Sequence, residues 1–246
     1  MKLRLSLAVG LGALLLPLAA FAQEEQPALF ATYYYCDQAR EARTDTLVSE
    51  HVAPIYDRHL AAGDITAWGW LSHRIGGKWR RLEYYTSPSR DVLLTTRAAL
   101  LEELDGDDAL DEFTEICPSH DDYIWNYEGG SDPGLSRPEF AISMYFECDF
   151  AREDMADDIY LNVFDDVLDQ AVADGTITGW SWLSHDVGGK YRRIAVIDGT
   201  GVNAVLNARD AIFDQIAETM GSPFQVFSET CNSHTDYVWD VEMSKP

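Results

Sequence analysis

The chain has 246 residues, 42 of them acidic against 18 basic, for a formal charge of -24 at pH 7. A field of that sign repels phosphate backbones and anionic headgroups, which argues against nucleic acid and against a membrane surface as partners. Beyond the first residues no apolar run approaches the length of a membrane span.

Lys2 and Arg4 precede an apolar run from Leu5 to Leu18, and Ala20-Phe21-Ala22 offers a small-x-small cleavage site. The mature chain is therefore expected to start near Gln23, in a periplasm or secreted. An aromatic strand is predicted from Phe30 to Cys36, then a helix from Asp45 to Ala62 with the apolar stripe Leu47, Val48, Val52, Ile55, Tyr56 and Leu60. Pro54 should kink this helix and Gly63 should end it. A hairpin follows, with Gly76-Gly77 read as a two-residue turn that tolerates positive φ at both positions. A helix from Ser89 to Leu104 and a last strand from Glu112 to Cys117 lead into the polar segment Ser119-His120-Asp121-Asp122-Tyr123. The Gly, Pro and Ser of residues 128–138 read as a linker. The same order then recurs: strand Ile142 to Cys148, helix Asp157 to Asp174, hairpin around Gly188-Gly189, helix Gly201 to Glu218, strand Gln225 to Cys231.

The recurrence is residue by residue. Ile65 to Arg81 and Ile177 to Arg193 are identical at 12 of 17 positions, and Cys36 to Arg81 matches the chain 112 residues later at 21 of 46. Beyond the second helix the offset becomes 114, which carries Cys117 onto Cys231, His120 onto His234 and Trp125 onto Trp239. The expected organisation is a signal peptide (1–22), a first repeat (28–127), a linker (128–138) and a second repeat (139–243). Each repeat reads β-α-β-β-α-β, the ferredoxin-like split βαβ unit of an α+β fold, with its first strand between its third and its last. Cys36 then lies one strand from Cys117, and Cys148 from Cys231. In an oxidising compartment these pairs are predicted disulfides, one per repeat.

Around the double glycine the hairpin pairs Leu71 with Leu82 on one face, and Trp70 with Glu83, Trp68 with Tyr85 and Ser72 with Arg81 on the other. Leu71, Leu82, Tyr34 and Phe30 are expected under the helices, leaving Trp68, Trp70, Ser72, Arg81 and Tyr33 uncovered. The other repeat is the natural cover for a face with two tryptophans. In this arrangement, carried by Trp68, Trp70, Gly76 and Gly77 and their counterparts Trp180, Trp182, Gly188 and Gly189, the chain resembles the dimeric α/β-barrel superfamily, with both units in one polypeptide. The resemblance implies two ferredoxin-like units packed sheet to sheet. Among functions it implies cofactor-free oxygenases, haem-degrading enzymes and proteins of unknown role, and it transfers no catalytic residue.

The candidate ligand-binding residues are Trp68, Trp70, Arg81 and Tyr33 with Trp180, Trp182, Arg193 and Tyr145, which either line a cavity between the sheets or form a packed core there. Arg81 and Arg193 need a partner, either a ligand carboxylate or phosphate or an acid such as Glu83. Lys78, Arg80, Arg81 and their counterparts Lys190, Arg192 and Arg193 form a local basic cluster, read as an anion site or as protection of a hairpin tip. His73, His120, His185 and His234 recur in both repeats, as metal or haem ligands would, or as histidines bonded to backbone or to an acid such as Asp122. No motif requires a cofactor, and no nucleophile elbow, zinc-protease, P-loop or Rossmann pattern occurs. The leading expectation is a protein that binds a small aromatic or anionic molecule between its repeats. A cofactor-free or haem-dependent enzyme using the same cavity, or a structural partner-binding protein, are the alternatives. Oligomeric state is left open.

Overall fold

A computed structural model describes residues 26–131 and 138–245. The proposed signal peptide and most of the proposed linker lie outside the described residues. The first half contains β1 (Ala28–Tyr35), α1 (Glu41–Leu47), α2 (Ala53–Ala62), β2 (Ala67–Ile75), β3 (Arg81–Ser87), α3 (Arg90–Leu104), α4 (Asp108–Ile116) and β4 (Ser119–Gly130). The second half repeats the order with β5 (Phe140–Glu147), α5 (Glu153–Ile159), α6 (Asp165–Ala173), β6 (Gly179–Val187), β7 (Arg193–Gly199), α7 (Val202–Met220), α8 (Ser222–Thr230) and β8 (Ser233–Lys245).

Within a half the strands lie in the order β4-β1-β3-β2, as the crossover rule requires, and the second half reads β8-β5-β7-β6. The two sheets also join edge to edge. β2 pairs with β8 and β4 with β6, all antiparallel, so eight strands close a single barrel with no free edge. Helices cover the outside of the sheet. The disulfides Cys36–Cys117 and Cys148–Cys231 form as expected, tying the end of a central strand to the turn that opens its neighbour.

Three sequence expectations about the elements are corrected. The predicted last strands are helices, α4 and α8, because Asp108–Ile116 places Ala109, Phe113 and Ile116 on one helical face. The polar segment expected after the first of them is the strand itself: β4 starts at Ser119 and pairs with β1 from Ser119 to Asn126, its polar start projecting past the buried part. The irregularity expected at Pro54 does not depend on the proline. A π-helical turn (Val48–Val52) joins α1 to α2, and an equivalent turn (Tyr160–Phe164) occurs where the second half carries Asp166, so proline is not its cause.

A further correction concerns the hairpin loop. It spans five residues, and of its two glycines only Gly76 has a positive φ, 139°. Both glycines are required for another reason. The Tyr237 ring from the other half lies flat on the loop, and a Cβ would sit 2.7 Å from it at Gly76 and 2.3 Å from its hydroxyl at Gly77. The Tyr237 hydroxyl accepts the Lys78 N–H at 3.0 Å. Tyr123 lies in the same way on Gly188 and Gly189.

Candidate functional site

The hairpin register is the one expected, with Trp68 opposite Tyr85, Trp70 opposite Glu83, Leu71 opposite Leu82 and Ser72 opposite Arg81. Its faces are exchanged. Trp68 and Trp70 pack beneath the helices against Val48, Val52, Tyr56 and Leu93, while Leu71 and Leu82 point into the barrel beside Tyr33. Phe30 and Tyr34 lie on the helix side as expected. Polar atoms decide the outcome. Trp70 Nε1 donates to Asp45 at 2.8 Å and Trp68 Nε1 to Asp57 at 3.1 Å, both acids on the first helical segment. Trp182 and Trp180 repeat these bonds to Asp157 and Asp169, at 2.7 and 2.8 Å. A tryptophan inside the barrel would have forfeited such an acceptor.

Arg81, 4% exposed, donates from Nε and Nη2 to Asp45 at 2.7 and 2.8 Å, and its remaining donors reach the Arg80 and Glu41 carbonyls. Arg193 binds Asp157 in the same fork at 2.6 Å for both bonds. The partner is an acid, Asp45 rather than Glu83, and the site is intramolecular. Arg80 forks onto Glu41 at 2.7 Å and also donates to His73 Nδ1 at 2.7 Å. Arg192, Glu153 and His185 repeat that set. The most repeated stretch of the sequence is thus the clasp between each hairpin and its first helical segment. Lys78 stands exposed at the loop tip, and Lys190 pairs with Glu147.

Because Arg80 donates to Nδ1, His73 carries its proton on Nε2, which is buried without a hydrogen-bond partner edge-on to Tyr237 and Trp239. His185 does the same against Tyr123 and Trp125. Burial, and then the neighbouring Arg80 or Arg192, hold both histidines below the usual imidazole pKa. His120 and His234 sit at the surface beside Asp122 and Asp236. Among the described residues no three His, Cys, Asp or Glu side chains converge as a metal site.

The barrel interior is divided. One end is filled by aromatic rings: Tyr33 stacks on Trp79 with centroids 4.2 Å apart, Trp79 on Tyr237 at 5.0 Å, and Tyr123 and Tyr237 on Trp125 and Trp239. Outside this plug a polar cleft lies between the two glycine loops, bordered by Lys78, Lys190, His120 and Asp121. The other end holds a cavity of about 590 Å³. Its walls are Leu29, Ala31, Leu71, Leu82, Ala141, Leu183, Ile194 and Val196, and Tyr84, Tyr127, Asp198, Ser244 and Lys245 also line it. Exposed Pro27, Ser244 and Lys245 belong to its rim. Gly69 shapes one wall, since a Cβ there would lie 2.5 Å from the Tyr84 ring.

Of the eight proposed ligand residues, Tyr33, Tyr145 and Trp180 line this cavity, while Trp68, Trp70, Arg81, Trp182 and Arg193 do not. Tyr33 and Tyr145, each 1% exposed, form its floor with Ser143. Burial above all raises both phenols well above the ordinary tyrosine pKa, so they act as neutral hydroxyls. Sequence reasoning missed Ala31, Leu71, Leu82, Ser143, Leu183 and Ile194. For Leu71 and Leu183 the signal was the alternation with the tryptophans, and for Leu82 and Ile194 the pairing with those leucines, read with the wrong side inward; Ala31 and Ser143 lie two residues before Tyr33 and Tyr145, on the face that was read inward.

The superfamily resemblance brings haem into question, and the donor set of the cavity does not suit it. Among the described residues no His, Cys or Met lines it. A tyrosinate ligand would have to form from phenols whose burial favours the protonated state. The four repeated histidines line no part of it.

No protein-family model and no curated sequence matches the chain. Solved structures do match in fold. A candidate monooxygenase from Fusobacterium nucleatum subsp. nucleatum ATCC 25586 has a TM-score of 0.58 at 8% identity, covering 91% of this chain and 95% of that one. A mutant chlorite dismutase from Candidatus Nitrospira defluvii, in complex with cyanide, has 0.56 at 8% over 91% and 92%. An anthrone oxidase-like protein has 0.55 at 11% over 91% and 94%. At these identities the likeness is one of architecture: an α+β chain whose eight antiparallel strands close a barrel, as in the dimeric α/β-barrel proteins.

Proposed function

We propose that this is an exported binding protein, built from two duplicated ferredoxin-like repeats, that encloses a small, mainly apolar molecule inside its barrel. The observation that carries the reading is the cavity itself. Its volume lies within the range of small-molecule sites, its walls are aliphatic, and its polar groups are few and gathered at floor and rim. Two disulfides and the N-terminal sequence support an oxidising, extracytoplasmic setting.

The test is titration of the mature protein with the neutral fluorophore N-phenyl-1-naphthylamine. Saturable binding of one probe per chain is expected, abolished by Ala31→Phe or Ala141→Phe, which fill the void from opposite walls. Arg81→Lys, on the outer face of the sheet, should leave probe binding unchanged. Binding that survives both filling variants would sink the reading.

One residue favours a second reading, cofactor-free oxygenation of the bound molecule. Among the described residues Asp198 is the only carboxylate that lines the cavity, and its equivalent in the first half is Thr86. Asp198 would accept a proton from substrate. Oxygen consumption with a turned-over ligand, lost in Asp198→Asn, would support this reading over simple binding.

A further inference from the structure

The aromatic plug departs from the repeat at Tyr35, Trp79 and Asp121, which answer to Glu147, Tyr191 and Thr235 in the second half. One carboxylate oxygen of Asp121 accepts both the Tyr35 O–H at 2.7 Å and the Trp79 indole N–H at 2.8 Å, and that N–H also lies 3.2 Å from the Tyr35 oxygen. In the second half Glu147 instead takes Lys190, and the Tyr191 hydroxyl goes to Thr235. That half closes its side of the plug without such a trio, so packing alone does not call for one. Trp125 and Trp239, also in the plug, have no partner for their N–H among the described residues. Trp68, Trp70, Trp180 and Trp182 do bond to acids, but beneath the helices and away from the cleft.

Trp79 stands between two spaces. On its inner side it stacks on Tyr33, centroids 4.2 Å apart, and meets Tyr145 edge-on at 5.2 Å, and both tyrosines line the cavity. On its outer side Trp79, Tyr35 and Asp121 all border the polar cleft. Tryptophan and tyrosine are among the side chains most readily oxidised by one electron. The loss makes the indole N–H and the phenol O–H strongly acidic, so a carboxylate already bonded to both takes the proton and eases either oxidation. Trp125 and Trp239 have no such base and would be left as buried, uncompensated cations.

Resting on the reading that the barrel interior is the ligand site, we propose that Trp79, Asp121 and Tyr35 form a one-electron redox site, through which an oxidant at the polar cleft oxidises the molecule inside the barrel without entering it. The oxidant gains one electron from Tyr35, whose O–H proton passes to Asp121. An electron from Trp79 then refills Tyr35, which takes its proton back, and the indole N–H proton moves to Asp121 in its place. The Trp79 radical is refilled from the bound molecule across the stacked Tyr33 ring, and Asp121 returns the proton to the indole. The protein ends unchanged, the bound molecule has lost one electron and the oxidant has gained it.

The test is a flash experiment on the mature protein with tris(bipyridine)ruthenium and a sacrificial quencher, which together generate a bulky cationic oxidant that stays outside the barrel. With the cavity empty, a neutral tryptophan radical is expected in the optical and freeze-quenched electron paramagnetic resonance spectra, and it should be lost in Trp79→Phe. In Asp121→Asn its visible band should give way to that of the protonated radical cation, a change that a purely structural carboxylate would not produce. Tyr35→Phe, at a half-buried position, should slow formation of the radical. These two variants keep the test decisive should Trp79→Phe fail to fold. With N-phenyl-1-naphthylamine in the cavity, the tryptophan radical should disappear as the radical cation of the arylamine grows in. A radical that survives Trp79→Phe, an Asp121→Asn spectrum identical to that of the wild type, or a radical that persists beside bound arylamine would overturn the proposal and leave the cavity reading standing. Failure of the arylamine to bind would overturn the cavity reading, and the proposal with it.

Discussion

Replacing Asp45 with alanine should destabilise the protein by about 4 kcal/mol, and the reason is local. Its carboxylate accepts both Arg81 bonds and the Trp70 indole N–H, with Arg81 and Trp70 at 4% and 0% exposure. The next acid, Glu41, is 3.7 Å from Arg81 and already forked onto Arg80. Breaking a buried pair typically costs about 3–5 kcal/mol, and an orphaned indole adds up to about 1–3 kcal/mol. The two losses share one site and so do not simply add, because water entering the gap would serve both groups. Urea unfolding of the oxidised protein, followed by tryptophan fluorescence, should show a lower midpoint at unchanged slope. For a chain of this size that corresponds to a melting temperature lower by roughly 8–16 °C. The double variant Asp45→Leu with Arg81→Met should recover most of the loss, since it leaves no buried charge behind. A loss below about 1 kcal/mol for Asp45→Ala would refute the reasoning, because it would make the fork no stronger than a surface ion pair.

Gly77→Ala should destabilise by about 1–3 kcal/mol, the range of overpacking, because the new Cβ meets the Tyr237 hydroxyl; Gly77→Ala in a Tyr237→Ala background should cost far less, by the same urea assay. Reduction of the two disulfides, which close separations of 81 and 83 residues, should cost on the order of 4 kcal/mol each on the chain-entropy account, read from melting curves with and without reductant. Acid should weaken the fold through His73 and His185. Their folded pKa values lie below the ordinary value, so below about pH 6.5 the unfolded chain takes up protons that the folded chain refuses. Stability should therefore decline as pH falls from about 6.5 towards the folded pKa, and His73→Gln with His185→Gln should flatten that slope whatever they do to stability at about pH 7.5. His234, raised by its bond to Asp236, acts in the opposite sense and should be replaced by glutamine in both proteins compared.

Much of the architecture was legible because the chain states it twice. The hairpin register, the strand order and both disulfides follow from the repeated glycines, aromatic runs and cysteines, and the His120–Asp122 pairing from their spacing. The orientation of the hairpin was not legible, because both of its faces are buried. Leu71 and Leu82 on one side and Trp68 and Trp70 on the other are all apolar, so alternation names two faces without saying which is inward. The deciding information lay in Asp45 and Asp57, twelve residues apart on a helical segment and each set to receive an indole. Repetition also misdirected attention. It marked the helix clasp, which both halves need equally, whereas the cavity takes Ala31 from one half and Ser143 from the other, Tyr84 from one and Val196 from the other.

The seam between β2 and β8 sets an order of events during synthesis. Ser72 on β2 bonds to Glu242, 170 residues further on, so the first half must wait with an unpaired edge until β8 has emerged. Contacts of such sequence separation form slowly and leave a sticky intermediate in the meantime. The Cys36–Cys117 bond needs only the first half and can lock it before the barrel shuts. The interior comes into being with the final strand. A chain cut short before Ser233 would lack not one wall of the chamber but the act of closure that makes it a chamber.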